Sequence, residues 1–307
     1  MTDKDLYKQD GVDVAAGDKF SDFAAAECAK TSSPYVQVTD WARAHFRGPR
    51  TFKFVRLPED AEWDLAADGA GTKTVVEAAA FTPSQAARGV LAMTCGDITR
   101  SGGKPLIFSN VLDVSNLGEP GSRTDHYYRS AIVGLRQACD EQQVLAYRGE
   151  TAELGPCVGS EDPDAEIKYN WAGFAIGVYK PSLMITGKDM KPGDVVVALR
   201  DKSCRNNGYS SIRAALRIRF GDWWWLNPEA KAAIKAAAEP ATLYDRFLSW
   251  INGWEDYDHW VPNCEVKCIT HLTGGGIPGK FGKDILFPLG LSADLPNLWA
   301  PSQIMSQ

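Results

Sequence analysis

Apolar positions recur along this chain at two spacings, and the alternation between them predicts its elements. Residues 20–28 carry the three- and four-residue spacing of an amphipathic helix. Residues 83–93 repeat it with Pro83 in the first turn, where a missing N–H costs nothing, and residues 125–142 extend it further. Residues 63–67, 144–148 and 171–179 read as strands, and the run PLIFSNVLDV at 105–114 reads as a buried strand. Helix and strand thus alternate, the mark of an α/β fold. After Tyr179 the segment KPSLMITGKDMKPGD gathers Pro, Gly and Lys with little periodicity, which predicts a boundary between domains at 1–180 and 181–307. Beyond it, strands are predicted at 195–199 and 266–270 and helices at 209–219, 228–238 and 241–253. From Gly282 onward, Pro288, Pro296 and Pro301 predict irregular chain.

Composition narrows the function. The 307 residues are 44% hydrophobic and 23% charged, an ordinary globular balance. Lys and Arg total 33 against 39 Asp and Glu, so the net charge of -6 supplies no general attraction for nucleic acid or an anionic membrane. An anionic ligand therefore needs a local site. No run approaches the ~20 apolar residues that span a bilayer. The start MTDKDLYKQDG lacks the basic and then apolar character of a signal peptide, and a cytoplasmic location is expected. The seven cysteines are scattered and odd in number, as expected of reduced thiols. Cys264, Cys268 and His271 lie close in sequence but lack the fourth ligand and the CxxC pair of a structural zinc site.

Five glycine-centred segments carry candidate chemistry. Asp68, Gly69, Ala70, Gly71, Thr72 and Lys73 follow a predicted strand; the glycines permit close backbone approach to a ligand, Asp68 suits Mg²⁺, and Thr72 and Lys73 suit phosphate oxygens. The spacing is not that of a Walker loop, and a tight strand-to-helix turn is the plain alternative. Gly96-Asp97 and Gly149-Glu150 place two further acids near element ends, where Mg-nucleotide sites gather carboxylates and where helix caps and solvated loops are also common. Asn206-Asn207-Gly208 precedes a predicted helix, and His271 leads to Thr273, Gly274, Gly275 and Gly276. Both have the form of anion cradles, with His271 beside the second as a proton donor or a satisfied structural residue.

Taken together, these segments resemble one family, the phosphoribosylformylglycinamidine cyclo-ligases or AIR synthases. The resemblance is carried by Tyr7 to Asp13 (YKQDGVD), DGAGTK from Asp68, GDITRSGGKPLIF from Gly96, GETAE from Gly149, WAGFAIGV from Trp171, GDVVVAL from Gly193, NNGYSSIR from Asn206, EPATLY from Glu239 and ITHLTGGGIPGK from Ile269, in family order along almost the whole chain. It implies a PurM-like α/β architecture: an N-terminal domain whose sheet pairs with that of a second subunit in a homodimer, and a C-terminal α/β sandwich domain. It also implies ATP-dependent closure of formylglycinamidine ribonucleotide to aminoimidazole ribonucleotide, with Mg²⁺; dependence on K⁺ is left open. Carried over by position, Asp68, Asp97 and Glu150 resemble metal-nucleotide acids, and Gly69, Gly71, Thr72 and Lys73 nucleotide contacts. Asn207, Gly208, Thr273, Gly274, Gly275 and Gly276 resemble the cradle of the substrate phosphate, with His271 adjacent and Lys8 on a closing arm.

The chain also departs from that pattern. Gly96 stands where the family has Asn, Asn170 where it has Asp, and the region from His45 to Asp60 lacks the family's glycine- and phenylalanine-rich loop. Family members continue past the triple glycine for several tens of residues, so the second domain's sheet is expected to be incomplete and to need a partner chain. Trp223, Trp224 and Trp225 read either as a stacking wall or as an insertion packed on the second domain. A thiamine-monophosphate kinase, a selenophosphate synthase or a hydrogenase-maturation dehydratase is a weaker match. A non-catalytic nucleotide-binding subunit, or one half of a split enzyme, is the reading from outside catalysis.

Overall fold

In the computed structural model, which describes residues 13–39, 51–255 and 257–300, the long apolar run becomes the centre of a four-stranded sheet. The chain begins with α1 (Val14–Cys28), capped by the Asp13 carboxylate, which accepts from the N–H groups of Ala15 and Ala16. Two short strands follow, β1 (Val36–Val38) and β2 (Phe52–Phe54), paired with each other. Next come β3 (Glu62–Gly69), α2 (Lys73–Ala80), α3 (Pro83–Thr99), β4 (Lys104–Val114), α4 (Arg123–Gln142), β5 (Leu145–Glu153) and β6 (Tyr169–Tyr179). The strand order is β3-β6-β4-β5; β6 runs antiparallel to both neighbours, and β4 and β5 are parallel. A parallel pair needs a long crossover, and α4 supplies it.

The two faces of this sheet differ. Helices α3 and α4 pack on one, where Phe108, Leu112, Trp171 and Ala175 meet Leu91, Ile98, Tyr128 and Leu135 in the main core. Each fully buried leucine, isoleucine or phenylalanine of this set contributes about 1.5–3 kcal/mol. The other face is open: Leu65 is 67% and Trp63 47% exposed. The β1–β2 ribbon covers only part of it, stacking Phe54 on Trp63 at 4.4 Å and Phe52 against Tyr147 at 5.3 Å. No helix among the described residues is long and apolar enough to cross a membrane, and all seven cysteines are free thiols.

Two predicted boundaries shift, and both shifts matter for the site. Helix α3 runs on through Gly96 and Asp97, which therefore sit in its last turn and not in a loop after it. Strand β5 likewise continues through Gly149 and Glu150, because β4 offers it backbone partners as far as Val114.

Residues 181–300 form α5 (Tyr209–Phe220), α6 (Lys231–Ala237), α7 (Asp245–Ile251) and a π-helical segment Ile277–Leu286. The predicted helix at 228–238 opens with a 3₁₀ turn, and that at 241–253 is helical only over α7. The strands predicted at 195–199 and 266–270 do not form, and the described part of this region holds no sheet of a C-terminal sandwich. One backbone bond, Gly187 N–H to Lys267 O at 2.9 Å, joins their neighbourhoods, and a single bond is not a ladder. Val195 and Val197 are left 86% and 76% exposed. Of the tryptophan run, Trp224 is fully buried among Leu216, Ile234 and Ala237, and Trp223 is exposed, so the run is mainly a packing insertion. The region is fastened to the sheet domain by Ala241 and Leu243 in the main core, and by Asn252 Nδ2 and Trp254 Nε1, which both donate to the Gly102 carbonyl.

Candidate active site

The end of β3 and the last turn of α3 bring two predicted acids together. Residues four apart on a strand share a face, so Asp64 and Asp68 both project on the side covered by α3, as Ala66 between them does. Asp97 lies within their electrostatic reach. Burial pushes its carboxyl up; Arg100, paired with it at 3.2 Å, pulls it down, and the charges of Asp68 and Asp64 push it up again. The result is an acidic corner edged by a cation. Asp64 and Arg100 were not singled out in the sequence, although the period of two along β3 and the i, i+3 spacing from Asp97 both signal them.

A loop from the second region closes over this corner. Asp201 organises it, accepting from the N–H groups of Ser203 at 3.0 Å and Thr242 at 3.3 Å. Arg205 then reaches α3, where Nη2 donates to the Ala92 carbonyl at 2.9 Å. Asn206 Nδ2 donates to the Gly69 carbonyl at 3.5 Å, and Asn207 Nδ2 lies 3.5 Å from Met93 Sδ. This approach depends on Gly89 in α3: a Cβ there would lie 2.2 Å from Asn206 Oδ1. A glycine inside a helix costs about 1 kcal/mol relative to alanine, and here it makes room for the loop. Gly208, at φ 75°, ends the loop and starts α5.

His271 approaches the same place from the C-terminal side. Burial, aided by the charges of Arg205 and Arg100 and opposed by Asp201, lowers its imidazole to about 4, so it is neutral near pH 7. Its Nε2 is buried without a hydrogen-bond partner, as are Arg205 Nε and Asn206 Oδ1. The following loop is exposed at Gly274, Gly275 and Gly276, with Gly276 N–H closing a turn on the Thr273 carbonyl at 3.0 Å. Gly71, at φ 59°, and Thr72 are also exposed, at the head of α2.

Two predicted site residues are placed elsewhere, and Lys8 lies outside the described residues. Lys73 is fully buried: Nζ stands 3.6 Å from Glu77 Oε1, donates to the Glu239 carbonyl at 3.2 Å, and lies over the Tyr209 ring. As the first residue of α2 it turns inward to the contact with α6, so it is a structural ion-pair member and not a phosphate contact. Glu150 pairs in register with Val111, itself opposite Ala172, which lies opposite Gly69. The adjacent row, Gly149, Asn110, Gly173 and Asp68, belongs to the helix-covered face. Successive residues point to opposite faces, so Glu150 lies on the open face, three strands away from Asp68 at the opposite edge of the sheet. The expected three-carboxylate metal set is therefore corrected, and no group of three or more His, Cys, Asp or Glu among the described residues is placed to hold a metal ion.

What remains gathered is hard oxygen ligands, Asp64, Asp68 and Asp97, beside cations and unpartnered polar nitrogens. Two crowded carboxylates open to phosphate oxygens fit the way Mg²⁺ is usually held in nucleotide sites, by one or two carboxylates plus substrate. Asp68 and Asp97 are the pair that fits it.

Comparison with known proteins agrees with the family signature. Residues 52–179 match the family described as AIR synthase related protein, N-terminal domain. The phosphoribosylformylglycinamidine cyclo-ligase of Oceanobacillus iheyensis is 30% identical over 302 residues, covering 96% of this chain and 81% of that protein. The protein of the same name from Myxococcus xanthus is 28% identical over 278 residues, covering 89% and 73%. Among solved structures, a thiamine-monophosphate kinase from Stenotrophomonas maltophilia K279a shares 15% identity at a TM-score of 0.40, over 71% of this chain and 57% of that one, a likeness confined to parts of both.

Proposed function

The chain belongs to the phosphoribosylformylglycinamidine cyclo-ligase family, and we propose that it closes formylglycinamidine ribonucleotide to aminoimidazole ribonucleotide, converting ATP to ADP and phosphate. The observation that carries this reading is the convergence of Asp68, Asp97, the Asn206–Asn207 loop and His271, from four separate stretches of chain, on one corner of the sheet domain. The reaction needs two anionic groups held side by side, a triphosphate and a sugar phosphate. An amide oxygen is a poor leaving group. Its attack on the γ-phosphorus breaks the bond to ADP and forms an iminophosphate; the neighbouring nitrogen then attacks the imidate carbon, loses a proton, and phosphate leaves with the C–O electrons. Such chemistry is served mainly by positioning and charge neutralisation.

Within that scheme Gly69, Gly71 and Thr72 present backbone and hydroxyl groups to the triphosphate, and Asn207, Gly208, Thr273, Gly274, Gly275 and Gly276 present theirs to the substrate phosphate. Mg²⁺, when bound by Asp68 and Asp97, supplies positive charge to the phosphate oxygens. His271, neutral and next to the cradle, is suited to hold or pass a proton. We assign the nucleotide half to residues 1–180 and the substrate cradle to 181–307. The open sheet face, with Leu65, Phe174 and Trp63 exposed, supports a homodimer joined through the sheet. A split enzyme that works with a further chain is the second reading, favoured by the exposed, unpaired apolar segment from Val195 to Leu199.

The test is incubation of the purified protein with ATP, Mg²⁺ and formylglycinamidine ribonucleotide, with aminoimidazole ribonucleotide as the readout. Turnover is expected, reduced at least about a hundredfold by Asp68→Asn. Equal turnover in that variant removes Asp68 from its role.

A further inference from the structure

Arg205 has a strained backbone and an unusual set of partners. Its φ of 49° is left-handed, a conformation that a long side chain seldom adopts. Such strain persists where surrounding contacts impose it, often at ligand sites. Two carbonyls from different regions hold the guanidinium, Ala92 O at 2.9 Å from Nη2 and Thr242 O at 3.3 Å from Nη1, and Asp201 stands 3.8 Å from Nη1. Nε, though buried, has no acceptor. A residue serving only as a latch between α3 and residue 242 is complete with Nη1 and Nη2.

Gly96 borders this side chain. A Cβ at that position would lie 3.7 Å from Arg205 Nη2, an ordinary contact, and a longer side chain that continues in the same direction meets the guanidinium. Gly96 is also the position at which the chain lacks the asparagine of the family pattern. The Arg205 charge also acts on His271, whose Nε2 is another buried nitrogen without a partner. Two unpartnered nitrogens in mutual electrostatic contact, one in a planar cationic fork, suit a phosphate group, with the Asp201 and Asp245 carboxylates acting on the same cation.

We propose that Arg205 is a phosphate-binding residue, which with His271 receives a phosphate monoester or the end of a polyphosphate, and that Gly96 is the opening that admits it. The cyclo-ligase reading enters only in naming the two phosphate compounds available, a sugar phosphate and ATP. Calorimetric titration of the full chain with ribose 5-phosphate and, separately, with MgATP distinguishes them. Arg205→Met is expected to weaken one of the two by about tenfold or more, and Arg205→Lys, which keeps the charge without the fork, by less. Gly96→Asn displaces the guanidinium and weakens the same ligand, and the double variant is no weaker than Arg205→Met alone. Loss for ribose 5-phosphate assigns the residue to the sugar phosphate, and loss for MgATP to the triphosphate; either supports the proposal. Unchanged affinity for both in Arg205→Met, or no binding of either by the unmodified protein, overturns it. Should Arg205→Met fail to fold by circular dichroism, Gly96→Asn carries the same comparison with Arg205 retained. Turnover is measured apart from this: its absence counts against the cyclo-ligase reading and leaves the binding comparison intact.

Discussion

The segments PLIFSNVLDV and VVVAL are both apolar and β-branched, yet one is the central strand β4 and the other an exposed stretch outside any helix or strand. β4 has backbone partners on both sides, β6 and β5, and two helices over one face. Residues 195–199 have neither, and Val195 and Val197 face solvent. A strand is therefore a property of a pairing and not of a segment, because N–H and C=O groups and apolar side chains must all find partners at once.

That contrast is open to attack by mutation. Phe108→Ala, in the covered strand, is expected to cost about 3–5 kcal/mol by denaturant unfolding, since it leaves a cavity under α3. A cost below about 1 kcal/mol shows that this core is not close-packed. Next in size, Lys73→Met strands the buried Glu77 carboxylate, which burial already pushes up, and is expected to cost about 3 kcal/mol or more. Pairing it with Glu77→Leu removes both charges and restores most of the loss; a strictly additive double variant breaks the ion-pair assignment.

A smaller effect tests the joint between the two regions. His271 is lowered to about 4 from an ordinary 6.5, so as pH falls the unfolded chain takes up this proton before the folded one does. Its contribution to stability is fully present above pH 6.5 and is lost as pH falls from there towards 4. His271→Gln is expected to flatten that part of the melting temperature against pH, and an unchanged slope places the titration elsewhere. Smallest of all, Val197→Thr is expected to change stability by less than about 0.5 kcal/mol. A large loss in that variant reveals a hidden partner for the segment.

Much of the first region was readable. The periodicities placed α4, β4 and β6 to within about two residues and α3 at its start, because their apolar stripes are long and Pro83 marks a first helical turn. Where Asp97 and Glu150 sit was not readable, since both depend on how far a helix or strand continues, and that is decided by a neighbour's length. The site was legible only in part. DGAGTK, NNG and HLTGGG marked stretches that the fold brings near one another, but Lys73 has the chemistry of a phosphate ligand and is turned inward by its place at the first turn of α2. Arg205 carries no motif, and only the loop's descent onto α3 at Gly89 gives it a role, whereas Asp64 gains its role from the nearness of Asp97.

By itself the sequence determined the family, the alternation of helix and strand in the first region, and the local backbone forms that glycine permits, because these depend on neighbours along the chain. Tertiary structure decided which carboxylates meet, which lysine is buried, and which apolar run becomes a strand. Charge crowding, burial and backbone pairing act between parts of the chain that are distant in sequence, and no local pattern records them.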